Sequence, residues 1–157
     1  LLYRYETGLL TRQQFYETVR AQIGFQGDLE EFARCFADIF WPIEPMVLVH
    51  RQLRQRGVPT WLFSNTNDLA MEHIRAHFPF VHDFDGWVLS YEVHSMKPAP
   101  GMYETLERLT GKGGSQIVYL DDRPENVQAG QARGWRAWVH VGPEESRHQL
   151  RLLGLLD

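Results

Sequence analysis

An apolar run followed by two adjacent acids occupies residues 117–126, which read Ile-Val-Tyr-Leu-Asp-Asp-Arg-Pro-Glu-Asn. The run is typical of a buried strand, and Pro124 with Glu125 is typical of the first turn of a helix. In a parallel sheet the ligand site lies at the carboxyl ends of the strands, where Asp121 and Asp122 stand. Neighbouring carboxylates repel each other unless a cation lies beside them, and Mg²⁺ commonly uses one or two protein carboxylates. The stretch therefore predicts a sheet with a metal-assisted site at its edge.

The alternation of strand and helix extends on both sides of this stretch. Short apolar runs are separated by segments with the spacing of amphipathic helices, which predicts βαβ units and a parallel sheet covered on both faces. A last amphipathic helix is predicted at residues 144–153. The predicted strands are residues 60–63, 87–89, 117–120 and 136–141, and the predicted helices between them are residues 68–77, 101–109 and 125–133.

The chain begins with a different pattern, in which one amphipathic helix follows another. Thr11 and Asp28 are typical helix N-caps, and Pro45 is typical of the start of a third helix. No Pro/Gly/Ser-rich linker separates these helices from the later strands. We therefore expect two regions, a helical unit at residues 1–44 and an α/β core at residues 45–157.

Polar side chains also follow the other predicted strands. Ser64 and Asn65 follow the strand at 60–63, and Lys97 lies beyond the strand at 87–89. Parallel strands bring their carboxyl ends to one edge, so a hydroxyl, an ammonium and the acidic pair are expected to meet there. Such a set suits phosphoryl chemistry, because hydroxyl and N–H groups hold phosphate oxygens, a lysine neutralises charge and a carboxylate anchors a metal. The set contains no separate nucleophile.

Three stretches resemble motifs two, three and four of the haloacid dehalogenase-like hydrolases, in the same order and with similar spacing. They are Trp-Leu-Phe-Ser-Asn-Thr-Asn at 61–67, Ser-Met-Lys-Pro at 95–98 and Val-Tyr-Leu-Asp-Asp at 118–122. The resemblance implies a Rossmann-like parallel α/β sheet, with the helical unit as a small cap. Within the family, the chain is similar to the small-capped sugar-phosphate phosphatases and to the phosphatase domain of soluble epoxide hydrolases.

For phosphate binding, the resemblance implies roles for Ser64, Asn65 and Lys97. Ser64 is similar to the hydroxyl that binds the transferring phosphoryl group, Asn65 to the residue that assists it, and Lys97 to the charge-neutralising lysine. Ser64 and Lys97 are accordingly the predicted catalytic residues of this chain. The implied reaction is hydrolysis of a small phosphorylated metabolite through an aspartyl-phosphate.

For metal binding, the resemblance implies Mg²⁺ as the cofactor. Asp122 is similar to the direct ligand, whereas Asp121 and Asn126 are similar to residues that support the metal or its waters. A dehalogenase of the same superfamily needs no metal, and the two carboxylates disfavour that alternative. A phosphomutase would share the same sheet, so that alternative stays open.

The family's first motif is not found before Ser64. That motif is a strand ending in Asp-x-Asp, whose first carboxylate becomes phosphorylated, and it should precede the cap. The chain instead begins with Leu1, Leu2 and Tyr3 in a helical pattern, without Met. We therefore expect the N-terminal strand and its nucleophile to lie upstream of Leu1, which would leave these 157 residues inactive. A catalytically dead or truncated binding protein is the alternative.

The composition disfavours several classes of protein. With 16 Lys and Arg against 20 Asp and Glu, the formal net charge is −4, which argues against a nucleic-acid partner bound mainly through its phosphates. No run approaches the roughly 18 apolar residues of a membrane span. The one cysteine, Cys35, excludes an intrachain disulfide and a multi-cysteine metal site, and its apolar neighbours predict a place in the core of the helical unit. We expect a cytoplasmic protein with a small-molecule phosphorylated substrate, and the sequence does not specify its oligomeric state.

Overall fold

The computed structural model describes all 157 residues, Leu1–Asp157. Helices form the first part of the chain, and strands alternate with helices after it. None of the helices combines the length and the apolar character needed to cross a membrane. The helices are α1 (Leu2–Glu6), α2 (Arg12–Ile23), α3 (Leu29–Ala37), α4 (Glu44–Gln55), α5 (Asp68–His77), α6 (Ser90–Val93), α7 (Pro100–Thr110), α8 (Pro124–Ala132) and α9 (Pro143–Leu152), and the strands are β1 (Trp61–Ser64), β2 (Gly86–Leu89), β3 (Val118–Asp121) and β4 (Arg136–Val139).

The four strands form two separate parallel pairs. β1 pairs with β2 in a register that places Ser64 opposite Leu89, and β3 pairs with β4 in a register that places Asp121 opposite Val139. The α/β class and the parallel pairing predicted from the sequence are confirmed. A continuous sheet is not formed, because β1 and β3 do not pair with each other.

A groove runs along β1 and β3. It has a volume of about 890 Å³, and most of the side chains along it are apolar. Residues of β1, β3 and α4 line it, whereas no residue of β2 or β4 does. The strand edges without a partner are therefore the edges that border this groove.

A cluster of aromatic rings connects the two strand pairs. It includes Phe63 of β1, Tyr103 of α7, Tyr119 of β3 and Trp135. Phe63 lies at ring-centroid distances of 5.2 Å from Tyr103, 5.4 Å from Tyr119 and 6.0 Å from Trp135. Because Phe63 and Tyr119 belong to different pairs, burial and edge-to-face packing of these rings hold the pairs together.

The helices begin where local signals place them. Thr11 caps α2 by exchanging two hydrogen bonds with Gln14, and Asp28 caps α3 by accepting the N–H of Glu31. Both contacts satisfy N–H groups that the first turn of a helix leaves without a partner. The two N-caps predicted in the helical unit are thus present in the structure.

The prediction that Cys35 lies in the core of the helical unit is wrong, because its side chain is exposed. Phe32 is buried, and Leu29, Ala33 and Phe36 pack beside it in the same apolar cluster. At the α-helical spacing, Cys35 is rotated by roughly a third of a turn from the middle of this face. Apolar neighbours in the sequence therefore do not place a residue on the apolar face of its helix.

The helical unit packs against the N-terminal end of α5. Its own core includes the rings of Tyr5 and Phe15, which stack with 4.2 Å between centroids. The Tyr5 hydroxyl and the Arg12 guanidinium both donate to the carboxylate of Asp68, and Arg12 also donates to Glu72. Since Asp68 is the first residue of α5, this cluster ties the helical unit to the helix that follows β1.

Removing the Tyr5 hydroxyl should loosen this contact. Tyr5 is 2% exposed, and its partner Asp68 is a half-buried carboxylate. We predict that Tyr5→Phe lowers the free energy of unfolding by roughly 1–2 kcal/mol, as expected for a lost hydrogen bond to a charged group. Tyr3→Phe, at a ring that is 65% exposed, should leave it unchanged. Urea denaturation of both variants measures the effect, and equal midpoints would contradict a role for the Tyr5 hydroxyl.

Candidate active site

One lysine joins the carboxyl ends of β1 and β3. The Lys97 ammonium donates to the backbone oxygen of Phe63 at 2.7 Å and to Oδ2 of Asp121 at 2.6 Å. Phe63 is the last but one residue of β1, and Asp121 is the last residue of β3. Lys97 therefore bridges the two strand pairs at the edge where the parallel strands end.

The loops around this edge are held by two polar side chains. Asn65 accepts the N–H of Lys97 at 2.8 Å through its side-chain oxygen and donates its amide to the Lys97 carbonyl at 2.9 Å. Ser90 is completely buried, and its hydroxyl accepts the N–H of Thr66 and donates to the Thr66 carbonyl. The backbone of Lys97 and the loop that follows Ser64 are thereby held in fixed positions.

The carboxylate of Asp121 is saturated with hydrogen-bond donors. Its Oδ2 accepts from Lys97 and from the hydroxyl of Tyr119, each at 2.6 Å. Its Oδ1 accepts from the N–H of Arg123 and from the side-chain amide of Asn126, each at 2.9 Å. Because each oxygen accepts two hydrogen bonds, the carboxylate has little capacity left for a further ligand.

Burial and pairing act against each other in the ionisation of this pair. The side chains of Lys97 and Asp121 are each 6% exposed. Burial opposes the ionisation of Asp121, but the hydrogen bonds from Lys97 and Tyr119 outweigh it, so the pKa of Asp121 is lowered. Burial lowers the pKa of Lys97, and its hydrogen bond with Asp121 counteracts this in part. Asp121 is consequently ionised at neutral pH and supplies the negative charge beside Lys97.

The side chains of Ser64 and Asp122 make almost no hydrogen bonds within the chain. The Ser64 hydroxyl makes only a long hydrogen bond of 3.4 Å to the adjacent Asn65 carbonyl. Asp122 is exposed, and its carboxylate has no hydrogen bond or ion pair within the chain. Ser64 ends β1 and Asp122 follows β3. The structure thus brings the site residues predicted from the sequence to one edge, and these are Ser64, Asn65, Lys97, Asp121, Asp122 and Asn126.

One carboxylate at this edge, that of Asp122, is free to bind a divalent cation. No cluster of three or more His, Cys, Asp or Glu side chains that could hold a metal ion is found in the chain. Mg²⁺ needs only one or two protein carboxylates, because water completes its shell. Asp122 fits the part of one such ligand, whereas Asp121 and Asn126 are hydrogen-bonded to each other.

Two residues of the site were not expected from the sequence. The hydroxyl of Tyr119 donates to Asp121. Residues two apart in a strand lie on the same face, so the sequence spacing could have predicted this contact. Ser90 orders the loop at Thr66, 24 positions away in the chain. No local sequence pattern predicts a partner so far away along the chain.

The ionisation of Asp121 should make its contribution to stability depend on pH. A carboxyl whose pKa is lowered by folding stabilises the fold above its ordinary pKa, and this contribution is lost as the pH falls through the folded pKa. We predict that Asp121→Asn lowers the free energy of unfolding by roughly 3–5 kcal/mol at neutral pH, where Lys97 loses its counter-charge. The cost should shrink progressively as the pH is lowered below about 4.

Urea unfolding across this pH range measures the effect. Asp38→Asn is the matched control, because Asp38 is an exposed carboxyl at the end of α3. The control should change stability little at any pH. A cost of Asp121→Asn that does not vary with pH would contradict an ionised Asp121 as the source of the stability.

The chain matches the model of a known family and is similar to two proteins named as phosphatases. The family is described as "Hydrolase: haloacid dehalogenase-like hydrolase", and its model matches residues 6–134. A sesquiterpene phosphatase, astK, from Aspergillus oryzae is 26% identical over 134 residues, which are 83% of this chain and 67% of that protein. A D-ribitol-5-phosphate phosphatase from Bacteroides thetaiotaomicron is 21% identical over 154 residues, which are 94% of this chain and 75% of that protein.

Solved structures show the same fold. A HAD family enzyme from Bacteroides thetaiotaomicron superposes with a TM-score of 0.83 at 24% identity, over 94% of this chain and 76% of that one. The same enzyme in complex with magnesium and inorganic phosphate superposes with a TM-score of 0.78 at 24% identity, over 87% of this chain and 72% of that one. The resemblance inferred from the three motifs is confirmed, since the family model spans well over half of the sequence. The chain belongs to the haloacid dehalogenase-like hydrolases.

Proposed function

We propose that this chain forms the phosphate- and magnesium-binding part of a phosphomonoester hydrolase that acts on a small phosphorylated metabolite. The observation that carries the proposal is the buried Lys97–Asp121 pair, which holds an ammonium between the ends of β1 and β3. A fixed positive charge near a free hydroxyl and a free carboxylate suits the transfer of a phosphoryl group. The two relatives named as phosphatases support the same class of reaction.

Lys97 retains one N–H bond for a substrate oxygen. A lysine ammonium has three donors, and the contacts with Phe63 and Asp121 use two of them. We assign the third to a phosphoryl oxygen, which would also accept from the Ser64 hydroxyl and from backbone N–H groups of the following loop. Asn65 contributes by holding Lys97, so the charge is in position before the substrate binds.

Asp122 is the residue that we assign to Mg²⁺. When bound, Mg²⁺ supplies a Lewis acid that neutralises the negative charge of phosphoryl oxygens. Asp121 and Asn126 support this ligand, because their hydrogen bond and the contact of Asp121 with the Arg123 N–H fix the turn that carries Asp122. Their role is to orient the turn.

We assign the nucleophile to a strand in the groove between β1 and β3. The edges of both strands along the groove lack partners, and unpaired backbone groups in an apolar space are costly. A parallel strand there would end close to Ser64 and Asp121. We propose that it lies upstream of Leu1 and ends in Asp-x-Asp. Its first carboxylate would bond to phosphorus while the second, as a carboxylic acid, gives its proton to the oxygen of the leaving alcohol. The second carboxylate would then take a proton from the water that attacks phosphorus, which releases phosphate and restores the first carboxylate.

Residues 1–44 are proposed to act as a cap that selects the substrate, and residues 45–157 as the catalytic core. The contacts of Tyr5 and Arg12 with Asp68 support this division, because Asp68 directly follows the loop proposed to hold phosphate. A cap next to that loop would contact the part of the substrate that is not phosphate.

Two substitutions test the assigned roles in the intact protein, meaning the native protein that contains this chain. We predict that Asp122→Ala abolishes Mg²⁺-dependent hydrolysis of p-nitrophenyl phosphate. Lys97→Ala should lower kcat/KM by about 100-fold or more, the scale of losing one preorganised charge. Asp83→Ala removes an exposed carboxyl before β2, at the opposite end of the strands from the site, and serves as the control with unchanged activity.

The outcomes separate the alternatives within the superfamily. Full turnover by Asp122→Ala or Lys97→Ala would contradict the assigned roles. Activity that survives chelation of divalent cations and releases halide from a 2-haloacid would favour a dehalogenase. Transfer of phosphate within a sugar phosphate would favour a phosphomutase, and phosphate binding without turnover would favour a binding protein.

The open strand edges along the groove lead to a prediction about the activity and the association of the 157 residues. We expect the 157 residues alone to hydrolyse no phosphomonoester and to associate through the open strand edges. A version extended before Leu1 by an apolar strand ending in Asp-x-Asp should be monomeric and active with Mg²⁺. Phosphate release and light scattering measure both properties.

An extended version ending in Asn-x-Asp is the matched control for this experiment. It should be monomeric and inactive, because the strand fills the groove but lacks the nucleophile. If the 157-residue chain is monomeric and active, the nucleophile lies within it and the assignment to the groove is wrong.

A further inference from the structure

A tyrosine and a lysine donate to the same carboxylate oxygen at the candidate site. Tyr119 Oη and Lys97 Nζ both lie 2.6 Å from Oδ2 of Asp121. Tyr119 is 6% exposed, so water does not replace this contact readily. The Tyr119 hydroxyl therefore helps to set the direction in which Oδ2 points, and with it the location of the ammonium.

We propose that Tyr119 is a positioning residue, whose hydroxyl fixes the Asp121 carboxylate so that Lys97 is held at the end of β1. This inference rests on the proposed function in one respect, which is the assignment of Lys97 to the phosphoryl group. Tyr119 itself does not contact the substrate. Its effect reaches the reaction through Asp121 and then through Lys97.

The ring of Tyr119 is a rigid support for this hydroxyl. It packs edge-to-face against Trp135, with 5.6 Å between centroids, and against Phe63, with 5.4 Å between centroids. A Cβ at Gly130 would lie only 3.0 Å from the ring, so α8 leaves no space for the ring to move in that direction. Since the ring is held on several sides, the position of the hydroxyl is set by the core.

The ammonium also lies close to the same rings. Lys97 Nζ is 4.8 Å from the centroid of Phe63 and 5.6 Å from that of Tyr119, within the range of cation–π attraction. Phenylalanine at position 119 would keep this attraction and most of the packing. Tyr119→Phe therefore removes the hydrogen bond to Asp121 and keeps the packing of the ring.

Burial and the charge of Asp121 raise the pKa of Tyr119 above its ordinary value. The hydroxyl thus stays protonated and remains a donor throughout the range in which the enzyme would be assayed.

Chemical labelling of lysine tests the positioning without relying on catalysis. The 157 residues contain one other lysine, Lys112, which is exposed and serves as the internal standard. We expect Tyr119→Phe to raise the rate of Lys97 acetylation by acetic anhydride about tenfold in the intact protein, the scale of one lost hydrogen bond to a charged group. The rate at Lys112 should stay the same.

Tyr16→Phe is the control for a general loss of stability. Tyr16 is also buried, and its hydroxyl also makes one hydrogen bond, to the Gly27 carbonyl of the helical unit at 2.8 Å. This control should leave the labelling of Lys97 unchanged. Unchanged labelling of Lys97 in Tyr119→Phe, or an equal rise in Tyr16→Phe, would overturn the proposal.

A double-mutant cycle on phosphatase activity tests the route through Lys97. Tyr119→Phe should lower kcat about tenfold with little change in KM, but it should have no further effect in a Lys97→Ala background. Independent effects in the cycle, or an unchanged kcat, would overturn the route. If the wild-type protein hydrolyses no phosphomonoester, the proposed function fails, and the labelling experiment still decides the role of Tyr119.

Discussion

Two opposite charges, on Lys97 and Asp121, are buried at the carboxyl ends of β1 and β3, and the arrangement of the site depends on them. Taking such charges out of water is favourable only when good geometry and additional hydrogen bonds compensate. Here the Phe63 carbonyl, the Tyr119 hydroxyl and the Asn126 amide supply these bonds. Because β1 and β3 do not pair, the lysine is a direct polar link between two strand ends that hydrogen bonds of a sheet do not join.

The same edge is connected to the helical unit through the start of α5. Ser64 ends β1, Asn67 caps α5 by accepting the N–H of Ala70, and Asp68 receives the hydroxyl of Tyr5. The loop proposed to bind phosphate therefore lies between a strand end and a helix start that are both anchored. Such a loop presents its N–H groups without rearrangement, which is the property that electrostatic catalysis requires.

Much of this organisation could be predicted from the sequence, because it depends on local patterns. Alternating apolar runs predicted the strand–helix order, and α5 begins and ends at the predicted residues. The separate burial of the two acids could not be predicted, since neighbouring strand residues face opposite sides and either could have met the lysine. The division into two strand pairs could not be predicted from the sequence either, because local patterns do not specify whether β1 and β3 form backbone hydrogen bonds with each other.

Amide NMR of the intact protein tests most directly whether this edge binds phosphate together with Mg²⁺. Inorganic phosphate and Mg²⁺ would be added separately and then together. We expect Mg²⁺ to shift the resonance of Asp122 and phosphate to shift those of Ser64, Asn65 and Lys97, more strongly with Mg²⁺ present. Resonances that do not move at these positions would contradict it.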